Sequence, residues 1–343
     1  MSMAQTPVSQ LLERNLALFN GKQLLVAGCF DDNYALELAN HADNVTLFTT
    51  DFHRHQQWQR LNSPVTTHFG HQFPETEASF DMLLLLLPKA KSEAQYLLAN
   101  LLPHLKAGAD IVLAGENRGG INGAAKLLAP YASRSNKIDS ARRCSLVHSQ
   151  LEQIPAPFCS TEWEQHYPLE LDGKPLTIVA LPGVFSADGL DEGTRMLLEH
   201  LPSLSGRVVD MGCGAGVIGA ALCQKYPDLQ VEMCDINALA LESARRTLQA
   251  NGLSAQVYPS DMLGQIAEGV SHIVTNPPFH TGLNTHYAAT EQMILDAPKK
   301  LVKGGSLLLV ANAFLKYRPF IEQAFGSCKV IAEDKKFKLY HTV

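Results

Sequence analysis

Asn276-Pro277-Pro278-Phe279 is the stretch whose residue types and order could do chemistry, and that chemistry is the activation of a planar amine. An exocyclic amine on a base is a poor nucleophile, because its lone pair is delocalised into the ring. Holding both N–H bonds on acceptors frees the pair to point elsewhere. The Asn276 side-chain carbonyl and the Pro277 backbone carbonyl offer two acceptors, and proline brings no N–H to compete for them. Phe279 adds a flat apolar face for a base to stack on, worth about 1–3 kcal/mol per base in nucleic-acid binders. Alone, the tetrapeptide reads equally well as a turn after a strand.

The elements that would position it decide between those readings. Val208 to Gly219 reads as a buried strand, a glycine-rich turn and the start of a helix. Glycines allow close backbone approach to a ligand, and a helix N-terminus presents unpaired N–H groups. Gly214 to Gly219 also fits the G-x-G-x-x-G dinucleotide pattern, and Asp235 would hold a ribose diol in either case. What favours S-adenosylmethionine over a nicotinamide is Asp210, the acid before the first glycine, together with the series that follows. Val231 to Asp235 reads as a second strand, Val257 to Asp261 as a third, and Ile273 to Phe279 as a fourth carrying the tetrapeptide. Helices alternating with these strands give a parallel α/β sheet with its ligand at the carboxyl ends, where Asp210, Asp235, Asp261 and Asn276 all fall.

This order resembles the amino-methylating class I methyltransferases. The resemblance implies that Gly212, Gly214 and Gly216 cradle the methionine part of S-adenosylmethionine, that Asp235 takes the ribose hydroxyls and that Asp261 meets the adenine amine. It is most specific at Asp210, Gly212, Gly214, Asp235 and Asn276 to Phe279, and looser at Asp261. His280 needs no role as a base, since the amine can shed its proton after methyl transfer; it has a positioning role or none.

The first half repeats the second. Leu24 to Phe30 lies where Val208 to Gly214 falls when the chain is shifted by the interval from Asp51 to Asp235. Leucines 83–87 precede Pro88 where the Asn-Pro-Pro-Phe strand should be, and Leu105 to Ala114 parallels Leu301 to Val310. The fold class is therefore α/β, with two tandem Rossmann-like class I methyltransferase domains. The first is degenerate, lacking the glycine cluster, and is expected to bind no cofactor and catalyse nothing. A duplicated methyltransferase with a dead first half resembles the ribosomal RNA small subunit methyltransferase C family. Glu116-Asn117-Arg118, Lys137 to Cys144, Leu181 to Ser186, Ala311 to Leu315 and Phe337 to Tyr340 extend that similarity along most of the chain. The resemblance names the base. It implies transfer to the exocyclic N2 of a guanine, position 1207 of 16S rRNA, within the small subunit or an assembly intermediate.

At 343 residues, 46% hydrophobic and 18% charged, the chain is globular and long enough for two domains. The reading is residues 1–150 as the degenerate domain, serving RNA recognition and support, 151–180 as linker and hairpin, and 181–343 as the catalytic domain. Prolines 155, 157, 168 and 175 discourage helix between them, and Leu169 to Ile178 alternates around Asp172-Gly173 as a hairpin. Gly193 to Leu201 and Ala238 to Asn251 read as helices, the latter ended by Gly252. Phe185 to Thr194 is rich in turn formers. Phe185 and Asp191 would close over the cofactor there, or Asp191 would cap the following helix.

Seven cysteines stand without a metal or disulfide pattern, so no metal is expected. No leader or membrane span is read, so a cytoplasmic location is expected, and the first copy supplies the partner that other enzymes gain by dimerising, so a monomer is expected. The net charge of −6 runs against a polyanion partner unless basic residues cluster. Arg142 and Arg143, with Lys335, Lys336 and Lys338, are the RNA-facing candidates, each alternatively a solvated surface. The competing functions are a DNA adenine-N6 or protein glutamine-N5 methyltransferase, an NAD-dependent oxidoreductase and an RNA-binding assembly factor.

Overall fold

The structure is a computed structural model that describes residues 5–28, 30–61, 64–77, 79–277 and 284–342, without the side chains of 284–287. The chain divides into two compact units, Met1–Trp163 and Glu164–Val343. The first runs α1 (Pro7–Glu13), β1 (Gln23–Ala27), α2 (Tyr34–Glu37), β2 (Asn44–Thr49), α3 (Phe52–Arg60), β3 (Thr66–Phe69), β4 (Phe80–Leu86), α4 (Lys91–Leu101), β5 (Leu105–Glu116), α5 (Ala124–Leu128), β6 (Ser135–Ala141) and β7 (Cys144–Gln150). The second opens with a hairpin, β8 (Gln165–Leu171) and β9 (Lys174–Ala180). It continues through α6 (Glu192–Glu199), β10 (Arg207–Met211), α7 (Val217–Lys225), β11 (Gln230–Asp235), α8 (Ala238–Ala250), β12 (Gln256–Pro259) and β13 (Val270–Thr275). It ends with α9 (Asn284–Asp296), β14 (Leu301–Asn312), α10 (Arg318–Phe325), β15 (Lys329–Glu333) and β16 (Phe337–His341).

Each unit holds a seven-stranded sheet, and the two have the same order: β3-β2-β1-β4-β5-β7-β6 and β12-β11-β10-β13-β14-β16-β15. The first five strands in each are parallel and the last two antiparallel. The fold is two tandem Rossmann-like α/β domains. Central strands covered on both faces must be apolar throughout. In the first unit Leu25, Leu83 and Leu85 face α4 and α5, whereas Leu24, Val26, Met82 and Leu84 face α1, α2 and α3.

Strand register fixes which positions correspond between copies. Ala27 pairs with Leu85 where Met211 pairs with Thr275, so Leu86 and Leu87 stand at the places of Asn276 and Pro277. The interval from Asp51 to Asp235 holds for β1 against β10, where Ala27 matches Met211, but not at β2. Residues 28–43 join β1 to β2 but 212–229 join β10 to β11, so Thr49 is the counterpart of Asp235 and Asp51 that of Asn237. Hydrogen bonding agrees: Thr49 Oγ1 accepts from Asp51 N–H as Asp235 Oδ1 accepts from Asn237 N–H, and Asp51 and Asn237 each cap the helix that follows.

Two strands end earlier than the sequence reading placed them. β12 stops at Pro259, because Ser260 turns away to bond Met262 O and Gln265 N–H through its hydroxyl. β13 stops at Thr275, before Asn276 and a proline that has no N–H for the ladder. The helix read over Gly193 to Leu201 spans Glu192–Glu199.

The stretch 151–180 is shared between the units. Phe158 and Trp163 pack edge-on against Tyr96 in the first, and the hairpin belongs to the second. Asp172 and Gly173 both have positive φ, 50° and 73°, the two-residue turn whose twist suits a tight hairpin. The outer edge of β9 is closed by a helix. Ser243 Oγ accepts from Leu181 N–H, Thr247 Oγ1 bonds both polar groups of Val179, and Asn251 bonds both of Thr177. Four residues along a helix advance about 6 Å and two along a strand about 6.6 Å, so the two repeats match.

Candidate active site

At the carboxyl edge of the second sheet, β10 runs straight into the glycine turn. Gly212, Gly214 and Gly216 have φ of 72°, 53° and 80°. A side chain at Gly212 would meet nothing within 4 Å, so this residue opens onto a cavity. Gly216 and Gly219 are required by packing as well: a Cβ would come 2.9 Å from Ala244 Cα at the first and 2.1 Å from Met233 Cε at the second. The turn therefore lies close against α8 and β11, with its N–H groups at the start of α7.

Three acids stand at or just past the ends of three strands. Asp210 is fully buried; its Oδ2 accepts from Gly219 N–H at 2.8 Å, and its Oδ1 has no partner. Burial pushes its carboxyl up to about 7, opposed by the Gly219 hydrogen bond and helped by neighbouring Asp235. Asp235 accepts from Gly214 N–H through Oδ2 and from Asn237 N–H through Oδ1, both at 2.9 Å, and burial raises its carboxyl too. These bonds clamp the turn to the end of β11. Asp261 is half-buried in the turn after β12, where its N–H donates to Gln265 Oε1.

Asn276 sits directly after β13, which Thr275 ties to β10 by donating to Met211 O at 2.8 Å. The Asn276 amide nitrogen donates to Asp191 Oδ2 at 3.0 Å and to Thr194 Oγ1 at 2.9 Å, and its carbonyl oxygen is buried without a partner. Pro277 is buried beside it. Pro278, Phe279 and His280 lie outside the described residues.

The cavity brings Phe185, Ser186, Leu190, Asp191, Thr194, Gly212, Cys213, Gly214, Ala215 and Asn276 together. Phe185 is 47% exposed, a large apolar side chain left open beside the turn, and Ser186 after it has φ of 58°, a strained value for a residue with a Cβ. Cys213 is buried, and burial holds its thiol well above the ordinary value. Asp191 does cap α6, accepting from Thr194 N–H at 2.9 Å. The sequence signalled that cap, but not Thr194 nor the bond from the cap to Asn276, because those partners lie 82 and 85 residues apart. Asp210, Gly216, Asp235 and Asp261 do not line this cavity.

The same edge of the first unit is built differently. Val26 stands at the place of Asp210 and Leu86 at that of Asn276, both buried in the apolar core. A Cβ on Gly28, the counterpart of Gly212, would strike Leu86 O at 2.3 Å, so Gly28 lies against the chain where Gly212 opens onto a cavity. Asp32 fills the turn instead, bonding Thr6 N–H, Ser9 Oγ and Tyr34 N–H.

Basic residues flank each carboxyl edge. Arg142 and Arg143 form the two-residue tip between β6 and β7, exposed, both with positive φ (52° and 65°). Lys335 and Lys336 lie at the corresponding tip between β15 and β16. Lys336 pairs with Glu192 at 2.6 Å and Lys338 with Glu333 at 3.0 Å. Among the described residues no ion pair holds Arg142, Arg143 or Lys335.

Among the described residues no helix is long and apolar enough to cross a membrane, and no group of side chains is suited to a metal ion.

Residues 175–341 match the family described as "Methyltransferase small domain" and residues 9–167 the one described as "Methyltransferase small domain N-terminal". The chain is 52% identical over 340 residues to the ribosomal RNA small subunit methyltransferase C of Aeromonas hydrophila, covering 99% of each chain. It is 48% identical over 338 residues to the protein of that name from Vibrio vulnificus, covering 98% of each. In structure it is similar to a 16S rRNA N2 G1207 methyltransferase of T. thermophilus, solved in complex with AdoMet and guanosine. That similarity has a TM-score of 0.83 at 23% identity, over 98% of this chain and 91% of the other. Site, fold and full-length identity agree: the chain belongs to the ribosomal RNA small subunit methyltransferase C family.

Proposed function

We propose that this chain transfers a methyl group from S-adenosylmethionine to the exocyclic N2 amine of a guanine in 16S rRNA, position 1207 as in the name of the T. thermophilus protein. The observation that carries the reading is the Asn276 carbonyl oxygen, buried without a partner at the cavity while its amide nitrogen is doubly held. A buried acceptor without a donor costs about 1–3 kcal/mol, and an incoming N–H group relieves that.

The residues present fit the cofactor. Asp210 Oδ1 is a buried acceptor in need of a cation or donor, Gly212 leaves room for a ligand against the backbone, and Phe185 offers an open aromatic face. In this proposal Asp210, Gly212, Gly214 and Gly216 hold the methionine part, Asp235 the ribose and Asp261 the adenine side. When bound, S-adenosylmethionine supplies a methyl group on a positively charged sulfur. The protein contributes orientation. Asn276 Oδ1 and the Pro277 carbonyl take the two N–H bonds of the guanine amine and turn its lone pair out of conjugation. Phe279 is the stacking face for the base. No side chain acts as a base, because the nitrogen becomes acidic once it carries the methyl group.

The first unit takes no cofactor in this reading and serves RNA recognition. The chain acts as a monomer, in the cytoplasm, on small subunits or their assembly intermediates. The test is methylation of small subunits from cells lacking the gene, read as N2-methylguanosine by mass spectrometry. Asn276→Ala should lower the rate by at least about a hundredfold while S-adenosylmethionine binding stays near that of the wild type. Asp235→Ala should instead weaken cofactor binding, by about tenfold. Near-normal turnover by Asn276→Ala would remove the catalytic assignment.

A further inference from the structure

A carboxamide fills nearly the same space in either of two orientations, yet only one of them offers an acceptor to an amine. Turned over, Asn276 would present its NH2 group where the oxygen is needed. One neighbour, Asp191, settles the choice, and Thr194 adds a second acceptor that fits it. Asp191 Oδ2 and Thr194 Oγ1 lie 3.0 Å and 2.9 Å from the Asn276 amide nitrogen. A carboxylate only accepts, so the atom facing it must carry protons. In the turned form two oxygens would face each other with no proton between them.

The start of α6 is built for this placement. Asp191 is the cap, and its Oδ2 accepts from Thr194 N–H as well as from Asn276. Gly193 lies between them, where a Cβ would come 3.0 Å from the Phe337 ring and 3.1 Å from Asp191 Oδ2. A larger residue there would push the helix start off β16 and carry both acceptors away. In the first unit the corresponding helix start, with Thr6 and Ser9, bonds Asp32 instead, and Leu86 leaves no carboxamide to orient.

We propose that Asp191 and Thr194 are positioning residues that lock Asn276 with its oxygen toward the amine being methylated. The proposal deepens the functional reading above and rests on it. It predicts that losing either acceptor slows turnover without weakening binding.

The test is steady-state kinetics of the full-length chain on small subunits from cells lacking the gene, alongside thermal melting. Thr194→Val removes the hydroxyl and keeps the shape; Asp191→Asn keeps a good helix cap but is no longer acceptor-only. Turnover should fall by about fivefold for Thr194→Val and about tenfold for Asp191→Asn, the loss of one neutral and one charge-assisted hydrogen bond. KM for cofactor and RNA should stay within about twofold, the variants should melt cooperatively with at most a modest fall in midpoint from the Asn276 N–H left unpaired, and Thr194→Ser should recover most of the turnover. Turnover unchanged in both variants, a loss carried by KM, or a loss that Thr194→Ser fails to recover overturns the proposal. A wild-type chain that makes no N2-methylguanosine would instead defeat the functional reading on which it rests.

Discussion

Asp210 shows how much a single carboxyl can set. Its folded pKa of about 7 stands above the ordinary 3.8, so between those values the folded chain holds a proton that the unfolded chain has lost. The sign follows from linkage: stability from this group is present at low pH and is lost as pH rises from about 4 to about 7. Ligand binding runs the other way. If the ammonium of the methionine part meets Asp210, binding favours the ionised form, so cofactor affinity should rise with pH up to about 7, by at most about tenfold per unit. Calorimetric titration below neutrality checks this, and Asp210→Asn should flatten the profile. At this scale the sequence was legible wherever a residue type announces a task, as with an acid ending a strand or an amide before prolines. Thr194 announced nothing, because a threonine in a first helical turn has many uses and its partner is 82 residues away.

Among elements, the pairing of α8 with β9 decides whether the second unit can carry a hairpin on an otherwise open edge. Thr247 is fully buried and bonds both the N–H and C=O of Val179. Thr247→Val keeps the shape and leaves both groups without a partner, so it should destabilise the chain by about 1–3 kcal/mol in urea denaturation. A loss well under that would mean the edge is satisfied some other way. The helix and the hairpin could each be read from the sequence, one over Ala238 to Asn251 with Gly252 at its end, the other by its Asp-Gly turn. Their union could not, since Ser243, Thr247 and Asn251 at intervals of four look like any polar helix flank. Strand ends were misjudged for a related reason: the reading carried each strand on to its motif residues, whereas β12 stops where the Ser260 side chain turns the chain and β13 stops before Asn276 and a proline.

For the whole molecule, duplication was readable from the parallel apolar runs, and the shared sheet order accounts for it. The alignment of Asp51 with Asp235 failed because loops change length between copies while paired strands do not. Charge is the other molecular property with consequences. With a net charge of −6, RNA affinity has to come from local concentrations of Lys and Arg, and the Arg142-Arg143 tip combines exposure, no ion pair among the described residues and a turn strained for residues with a Cβ. Replacing both with Gln should weaken RNA binding and reduce the slope of log affinity against log salt by about one to two. Cofactor affinity should be unaffected. An unchanged slope in filter-binding assays would exclude the tip from the RNA contact.

The packing of Val26 and Leu86 against their neighbours also limits which residues the first unit can accept. Placing Asp at 26 or Asn at 86 would bury a polar group among hydrocarbon without a compensating partner, at roughly 2–7 kcal/mol for an amide and more for a charge. Each such change is penalised when taken singly, and Asp32 would still hold the turn through Thr6, Ser9 and Tyr34. Stability alone therefore acts as a ratchet that keeps this edge apolar.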